Sequence, residues 1–125
     1  LISSRRLSIG VTLGVAISAT ACVDEEARCR SFPDRYEDTN IAFYNLEPVP
    51  LESELVQNSA DIIIECSPRY PYAGPQNTMR LVSAHRLGND EIILVFELYG
   101  ITDLRLIFRV ENNGRVLRAY QMSMV

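Results

Sequence analysis

Residues 79–124 constrain the fold most strongly, because short polar turns there separate segments rich in strand-forming residues. The turns are Gly88-Asn89-Asp90 and Asn112-Asn113-Gly114, and both contain residues that accept left-handed backbone angles. The segments between them are rich in Val, Ile, Leu and aromatic residues. The pattern predicts an antiparallel meander with strands at 79–87, 91–99, 104–111 and 115–124.

The register of the middle hairpin follows from burial, because a slip of one residue moves every side chain to the opposite face. One register gives both faces good partners. It pairs Leu98 with Leu104, Phe96 with Leu106, Leu94 with Phe108 and Ile92 with Val110 on one face, and Glu97 with Arg105 and Val95 with Ile107 on the other.

The last hairpin admits two registers. A three-residue loop ending in a Gly114 bulge pairs Glu111 with Arg115, Val110 with Val116, Leu106 with Tyr120 and Leu104 with Met122, and it places Arg118 opposite Phe108. A two-residue turn would put Leu117 and Ala119 on the core face instead. We expect the first register, because it buries more apolar area.

The segment before the meander is less regular. Ser31 followed by Pro33 and Asp34 indicates a helix start. Residues 41–46 fit a helix or a strand, two prolines then interrupt regular structure, and 51–57 are expected to form one or two helical turns. The β-branched residues of 61–66 predict a strand.

These elements predict an α+β fold: an N-terminal signal helix, then a small domain with an antiparallel meander of four to five strands and one or two short helices. Both faces of the sheet carry apolar residues, so we expect either a helix over one face or closure into a small barrel. The arrangement resembles cystatin-type and NTF2-type folds, a resemblance that implies little about function.

The first 21 residues have the three-part layout of a secretory signal. Arg5 and Arg6 precede the uncharged, mostly apolar segment 7–17, and Ala19-Thr20-Ala21 supplies small residues before Cys22. The tetrapeptide ending at Cys22 resembles the lipobox of bacterial lipoproteins, although that family usually has Leu where this chain has Ala19.

The resemblance implies acylation of Cys22, attachment to a membrane and a periplasmic location. Val23, rather than Asp, follows the cysteine, which favours the outer membrane over the inner one. Plain cleavage that leaves an unmodified Cys22, and an uncleaved membrane anchor, remain alternatives.

The cysteine count is consistent with acylation of Cys22. The protein has three cysteines, and acylation of Cys22 would leave Cys29 and Cys66 as a pair, which an oxidising periplasm allows to form a disulfide. We therefore expect a signal peptide over 1–21, an acidic linker over 22–30 and one α+β domain over 31–125.

Charge and motifs exclude several classes of function. Two of the 12 basic residues lie in the signal, which leaves 10 against 16 acidic residues, a net charge of −6 that disfavours nucleic acid as a partner. The sequence has no CxxC, HExxH, GxSxG or phosphate-binding loop. We therefore expect no metal, no cofactor and no enzymatic activity, and the single His85 has no partner in a recognisable local pattern.

Two groups of residues are candidates for binding. Tyr70 and Tyr72 lie on a proline-rich segment, where exposed tyrosines are typical contact residues. Arg105 and Arg109 form a charged row with Glu97, and their guanidinium groups are suited to a carboxylate or a sugar acid. The alternatives are a loop that folds back onto the sheet and ordinary cross-strand ion pairs.

The expected function is therefore a small, non-enzymatic envelope lipoprotein that binds an envelope protein or the cell wall, or has a structural role there. A small-ligand carrier with an NTF2-like or barrel-like pocket is the alternative, and an enzyme is the least favoured. A carrier requires an enclosed apolar cavity between helix and sheet.

Overall fold

Helix α1 (Glu54–Cys66) precedes the four long strands of the sheet, and it includes the residues that the sequence predicts as a strand at 61–66. The computed structural model describes residues 29–67 and 79–124. Ser53 caps the helix, its hydroxyl oxygen accepting a hydrogen bond from the Val56 amide at 3.3 Å. Val56, Ala60 and Ile63 recur at helical spacing and are buried, so packing outweighs the strand propensity of the three isoleucines.

Five strands form one open sheet in the order β1-β5-β4-β3-β2. The two-residue β1 (Glu37–Asp38) pairs in parallel with β5, and the other pairs are antiparallel. The remaining strands are β2 (Met79–Leu87), β3 (Glu91–Leu98), β4 (Ile101–Glu111) and β5 (Val116–Ser123). This small domain of one α-helix and a mostly antiparallel sheet agrees with the α+β prediction, whereas the expected signal helix lies outside the described residues.

The predicted register between β3 and β4 is confirmed over most of its length. Ile92 pairs with Val110, Leu94 with Phe108, Val95 with Ile107, Phe96 with Leu106 and Glu97 with Arg105. The prediction for Leu98 is wrong, because Leu98 pairs with Ile101 and Thr102–Leu104 form a bulge in β4. A two-residue turn, Tyr99-Gly100, therefore joins the strands, and Gly100 adopts a φ of 84°.

The three-residue loop of the last hairpin is confirmed, but the predicted register beyond it is wrong. Glu111 and Arg115 are hydrogen-bonded across the loop and Val110 pairs with Val116. Leu117 is then an additional residue, so Ala119 rather than Arg118 pairs with Phe108. Leu106 and Leu104 consequently pair with Gln121 and Ser123. This bulge moves Arg118 off the core face. In the predicted register, its charge would have been buried against Phe108.

The helix side of the sheet carries the larger apolar cluster. Phe96 and Phe108 are fully buried with ring centroids 5.5 Å apart, and Val56 and Ile63 of α1 are also fully buried in this cluster. Phe32 and Tyr36 place their rings about 6 Å from that of Phe108 on the same side. The helix–sheet interface is therefore a packed core.

The second face is covered by residues 41–49, the covering segment, which contains a 3-10 helix at Phe43–Asn45. Ile41, Phe43 and Leu46 pack against a smaller cluster that includes Ile93 and Ile107. The segment ends beside the edge of β2, where the Arg86 amide donates to the Glu47 carbonyl at 2.8 Å and the Val49 amide to the Ala84 carbonyl at 2.9 Å. From β1 at one edge to β2 at the other, the chain thus crosses the face opposite α1.

Residues 31–36 contain no helix, so the predicted helix start at Ser31 is wrong. The sheet and α1 belong to one compact unit, which begins at Phe32. Within the described residues, none of the helices has the length and apolar character needed to span a bilayer.

Candidate functional site

The predicted row of Glu97, Arg105 and Arg109 lies on the second face, but it separates into two ion-pair groups. Glu97 interacts with Arg105 at one end of the sheet, Nη2 to Oε2 at 3.2 Å. Arg109 interacts with Glu91 towards the opposite end, Nε to Oε1 at 2.5 Å. Val95 and Ile107 occupy the cross-strand pair between them. The two arginines therefore belong to different sites.

A cavity of about 380 Å³ lies at the Glu97–Arg105 end. Its lining combines apolar side chains with two guanidinium groups and one carboxylate, and consists of Arg80, Glu97, Leu98, Tyr99, Gly100, Ile101, Thr102 and Arg105. A mostly apolar concavity with a few convergent polar groups is the usual form of a ligand site. We refer to it as the turn cavity, because the β3–β4 turn forms much of its wall.

The bulge in β4 positions Arg105 in the turn cavity. The Nη1 of Arg105 donates to the carbonyl oxygens of Thr102 at 3.3 Å and Leu104 at 3.0 Å, both of which belong to the bulge. The Nη2 atom lies against Glu97. These contacts fix the guanidinium group and brace the irregular backbone.

Arg80 lines the candidate site, and the sequence reasoning missed it. Its Nη2 donates to Glu97 Oε1, although three-quarters of its side chain is exposed. A second bulge, at Val82, shifts the β2–β3 register by one residue. Without this bulge, Arg80 would pair with Leu98 rather than with Glu97, and no local sequence signal marks its position.

The charges around Glu97 favour its ionised form. The hydrogen bond from Arg80 lowers the pKa of Glu97, partial burial opposes this change, and the positive charges of Arg80 and Arg105 lower the pKa further. Two guanidinium groups and one carboxylate give the turn cavity a net charge of +1. The cavity is thus suited to a ligand with a negative group.

The Arg109 group is a more extended network. Hydrogen bonds from Arg109 lower the pKa of Glu91, and Glu91 together with Tyr120 raises the pKa of Arg109. Arg118 pairs directly opposite Arg109 in the register and is balanced by Glu37 of β1 at 2.8 Å. A second, smaller cavity of about 140 Å³ lies beside Arg109 and Tyr120. This network holds β1, β3, β4 and β5 in register.

His85 lies buried beneath the covering segment. Its Nε2 is 2.9 Å from the Ser83 hydroxyl oxygen, and its ring centroid is 5.4 Å from that of Phe43. In the described part of the chain, no carboxylate is hydrogen-bonded to its ring nitrogens. The arrangement is that of a packed side chain.

Of the other candidate residues, the structure describes the two disulfide cysteines but not the tyrosines or the lipidation site. Cys29 and Cys66 are both disulfide-bonded, as the cysteine count predicts. Tyr70, Tyr72 and the lipidation candidate Cys22 lie outside the described residues.

No family model, curated protein or solved structure matches this chain.

Proposed function

We propose that this protein is an exported, non-enzymatic binding module, attached to the bacterial outer membrane through a lipid on Cys22. The signal-like segment and the lipobox resemblance support the location. The turn cavity supports the binding role, and it is the observation that carries the proposal: about 380 Å³ of space with an exposed aromatic ring and charged groups at its wall. The partner is a component of the envelope, either a protein or the cell wall.

The alternative, a carrier with an apolar pocket between helix and sheet, has less support. Val56, Ile63, Phe96 and Phe108 fill that interface and are fully buried. The cavity of about 140 Å³ on the second face is below the usual range of ligand pockets, roughly 300–1,000 Å³. The open turn cavity is the better candidate for recognition.

Photo-crosslinking in bacterial cells tests the binding role. The full chain would carry a photoreactive phenylalanine analogue in place of Tyr99, at the turn cavity, or in place of Tyr44 as a matched control. Both tyrosines are largely exposed, 86% and 69%, so neither replacement disturbs the core. We expect adducts from position 99 well above those from position 44. Equal or absent crosslinking at position 99 would overturn the binding role of this cavity.

A further inference from the structure

Of the two arginines at the turn cavity, Arg80 keeps more unused hydrogen-bond donors. Arg105 is committed to two backbone carbonyls and to Glu97. Within the described residues, Arg80 makes one side-chain hydrogen bond, from Nη2 to Glu97. Its side chain is 75% exposed. A guanidinium group has five N–H donors, so Arg80 keeps donors for a second acceptor. A ligand carboxylate is well matched to this geometry, because guanidinium groups bind carboxylates through paired hydrogen bonds.

Glu97 holds Arg80 at the cavity without cancelling its attraction for an anion. Its two oxygens face different arginines, Oε1 towards Arg80 and Oε2 towards Arg105. The negative charge of Glu97 is thus shared between two positive groups. The excess positive charge lies towards solvent on Arg80, where an incoming anion meets it first.

Tyr99 adds an exposed aromatic ring to the lining of the turn cavity. The Tyr99 side chain is 86% exposed, and the neighbouring Gly100 leaves open space where any other residue would place a side chain. Gly100 is required in any case by its φ of 84°. Leu98 and Ile101 extend the apolar surface, and Thr102 adds a hydroxyl group at its margin. A flat apolar ring face beside polar groups suits a sugar ring, whose faces carry C–H groups and whose edge carries hydroxyls.

We infer that the turn cavity binds a carboxylated sugar, with the carboxylate on Arg80 and one face of the sugar ring on Tyr99. This inference rests on the proposed envelope function and names the chemistry of its ligand. A cavity of about 380 Å³ lies at the lower end of the usual range for ligand sites, which fits a small sugar rather than an extended polymer segment. Arg105 acts as a positioning residue that keeps Glu97, and through it Arg80, in place.

Titration of the full-length protein with D-glucuronate, followed by saturation-transfer NMR at low ionic strength, tests the inference. Glucose supplies the same ring without the carboxylate, and acetate supplies the carboxylate without the ring. We expect glucuronate to bind at least about tenfold more tightly than either, with saturation transferred to its ring protons. If glucose bound as tightly as glucuronate, the carboxylate would contribute nothing and Arg80 would not be its binding residue. If acetate bound as tightly, the sugar ring would contribute nothing and Tyr99 would not bind it. Either result overturns the inference.

Variants locate the binding. Arg80→Gln and Tyr99→Ala are each expected to weaken glucuronate binding about tenfold or more, and Tyr99→Phe to retain it. Arg115→Gln, at the exposed turn between β4 and β5, is the matched control and is expected to bind as the parent protein does. Unchanged binding by Arg80→Gln, or no binding by the parent protein, would overturn the inference. Crosslinking from position 99 would then still stand as support for the envelope role with another ligand.

Discussion

At the scale of single residues, two bulges decide which side chains meet in the turn cavity. Val82 places Arg80 opposite Glu97, and the Thr102–Leu104 bulge turns carbonyl groups towards Arg105. The Glu97–Arg105 pair was predictable, because burial of the neighbouring apolar pairs fixes that register. Arg80 was not predictable, because a bulge depends on tertiary fit rather than on local propensity.

The Glu91–Arg109 ion pair gives a testable pH dependence. Hydrogen bonding from Arg109 lowers the pKa of Glu91 below its ordinary value of 4.5. A lowered folded-state pKa means that the pair stabilises the fold above the ordinary carboxyl pKa and that this contribution is lost as the pH falls through the lowered value. Glu91→Gln is expected to reduce the free energy of unfolding by about 0.2–1 kcal/mol at pH 7.

Urea unfolding at pH 7 and at about pH 3 measures this effect. The difference between Glu91→Gln and the parent protein should shrink at the lower pH, because Glu91 is then largely protonated in the unfolded state and the stabilisation falls as the pH drops towards the lowered folded-state pKa. Glu52→Gln is the control, because Glu52 is exposed and forms no ion pair among the described residues. A deficit that is the same at both pH values would show that the charge of Glu91 is not its cause.

At the scale of elements, the sequence predicts the hairpins better than the segment before them. Alternation and turn residues are local signals, so most of the β3–β4 register and the Gly114 loop were correct. Helix α1 was misread because Ile62, Ile63 and Ile64 favour a strand locally, whereas the helical spacing of Val56, Ala60 and Ile63 responds to burial against the sheet. The covering segment depends on contacts with the β2 edge and with the second apolar cluster, which are distant in sequence and which no local pattern reveals.

The covering segment gives a prediction at this scale. Phe43 packs against the second apolar cluster and the His85 ring, so Phe43→Ala is expected to cost about 1–3 kcal/mol of stability, less than the roughly 3–5 kcal/mol typical of a fully buried Phe. Tyr44→Ala, at a neighbouring side chain that is mostly exposed, should cost less than about 1 kcal/mol.

Hydrogen exchange locates the consequence of Phe43→Ala. The Arg86 amide, which donates to the Glu47 carbonyl at the end of the covering segment, should exchange faster, whereas the central β3–β4 amides should keep their relative protection. Unchanged protection at Arg86 would show that Phe43 does not hold the segment in place.

At the scale of the whole molecule, we propose a lipid on Cys22 as the anchor of a small α+β domain with an open cavity. The domain carries packed apolar clusters on both faces of its sheet, and its candidate site lies at the β3–β4 turn, where irregular backbone creates space that the regular sheet lacks. Binding residues on turns supported by a rigid scaffold are a common arrangement. The lipid on Cys22 would keep this site at the membrane surface.

Attachment through Cys22 is the central claim, and intact-mass measurement of the protein purified from its native membrane tests it most directly. The account predicts a mature chain that begins at Cys22 and carries the additional mass of acyl groups. A chain that begins at an unmodified Cys22, or one that retains residues 1–21, would contradict it.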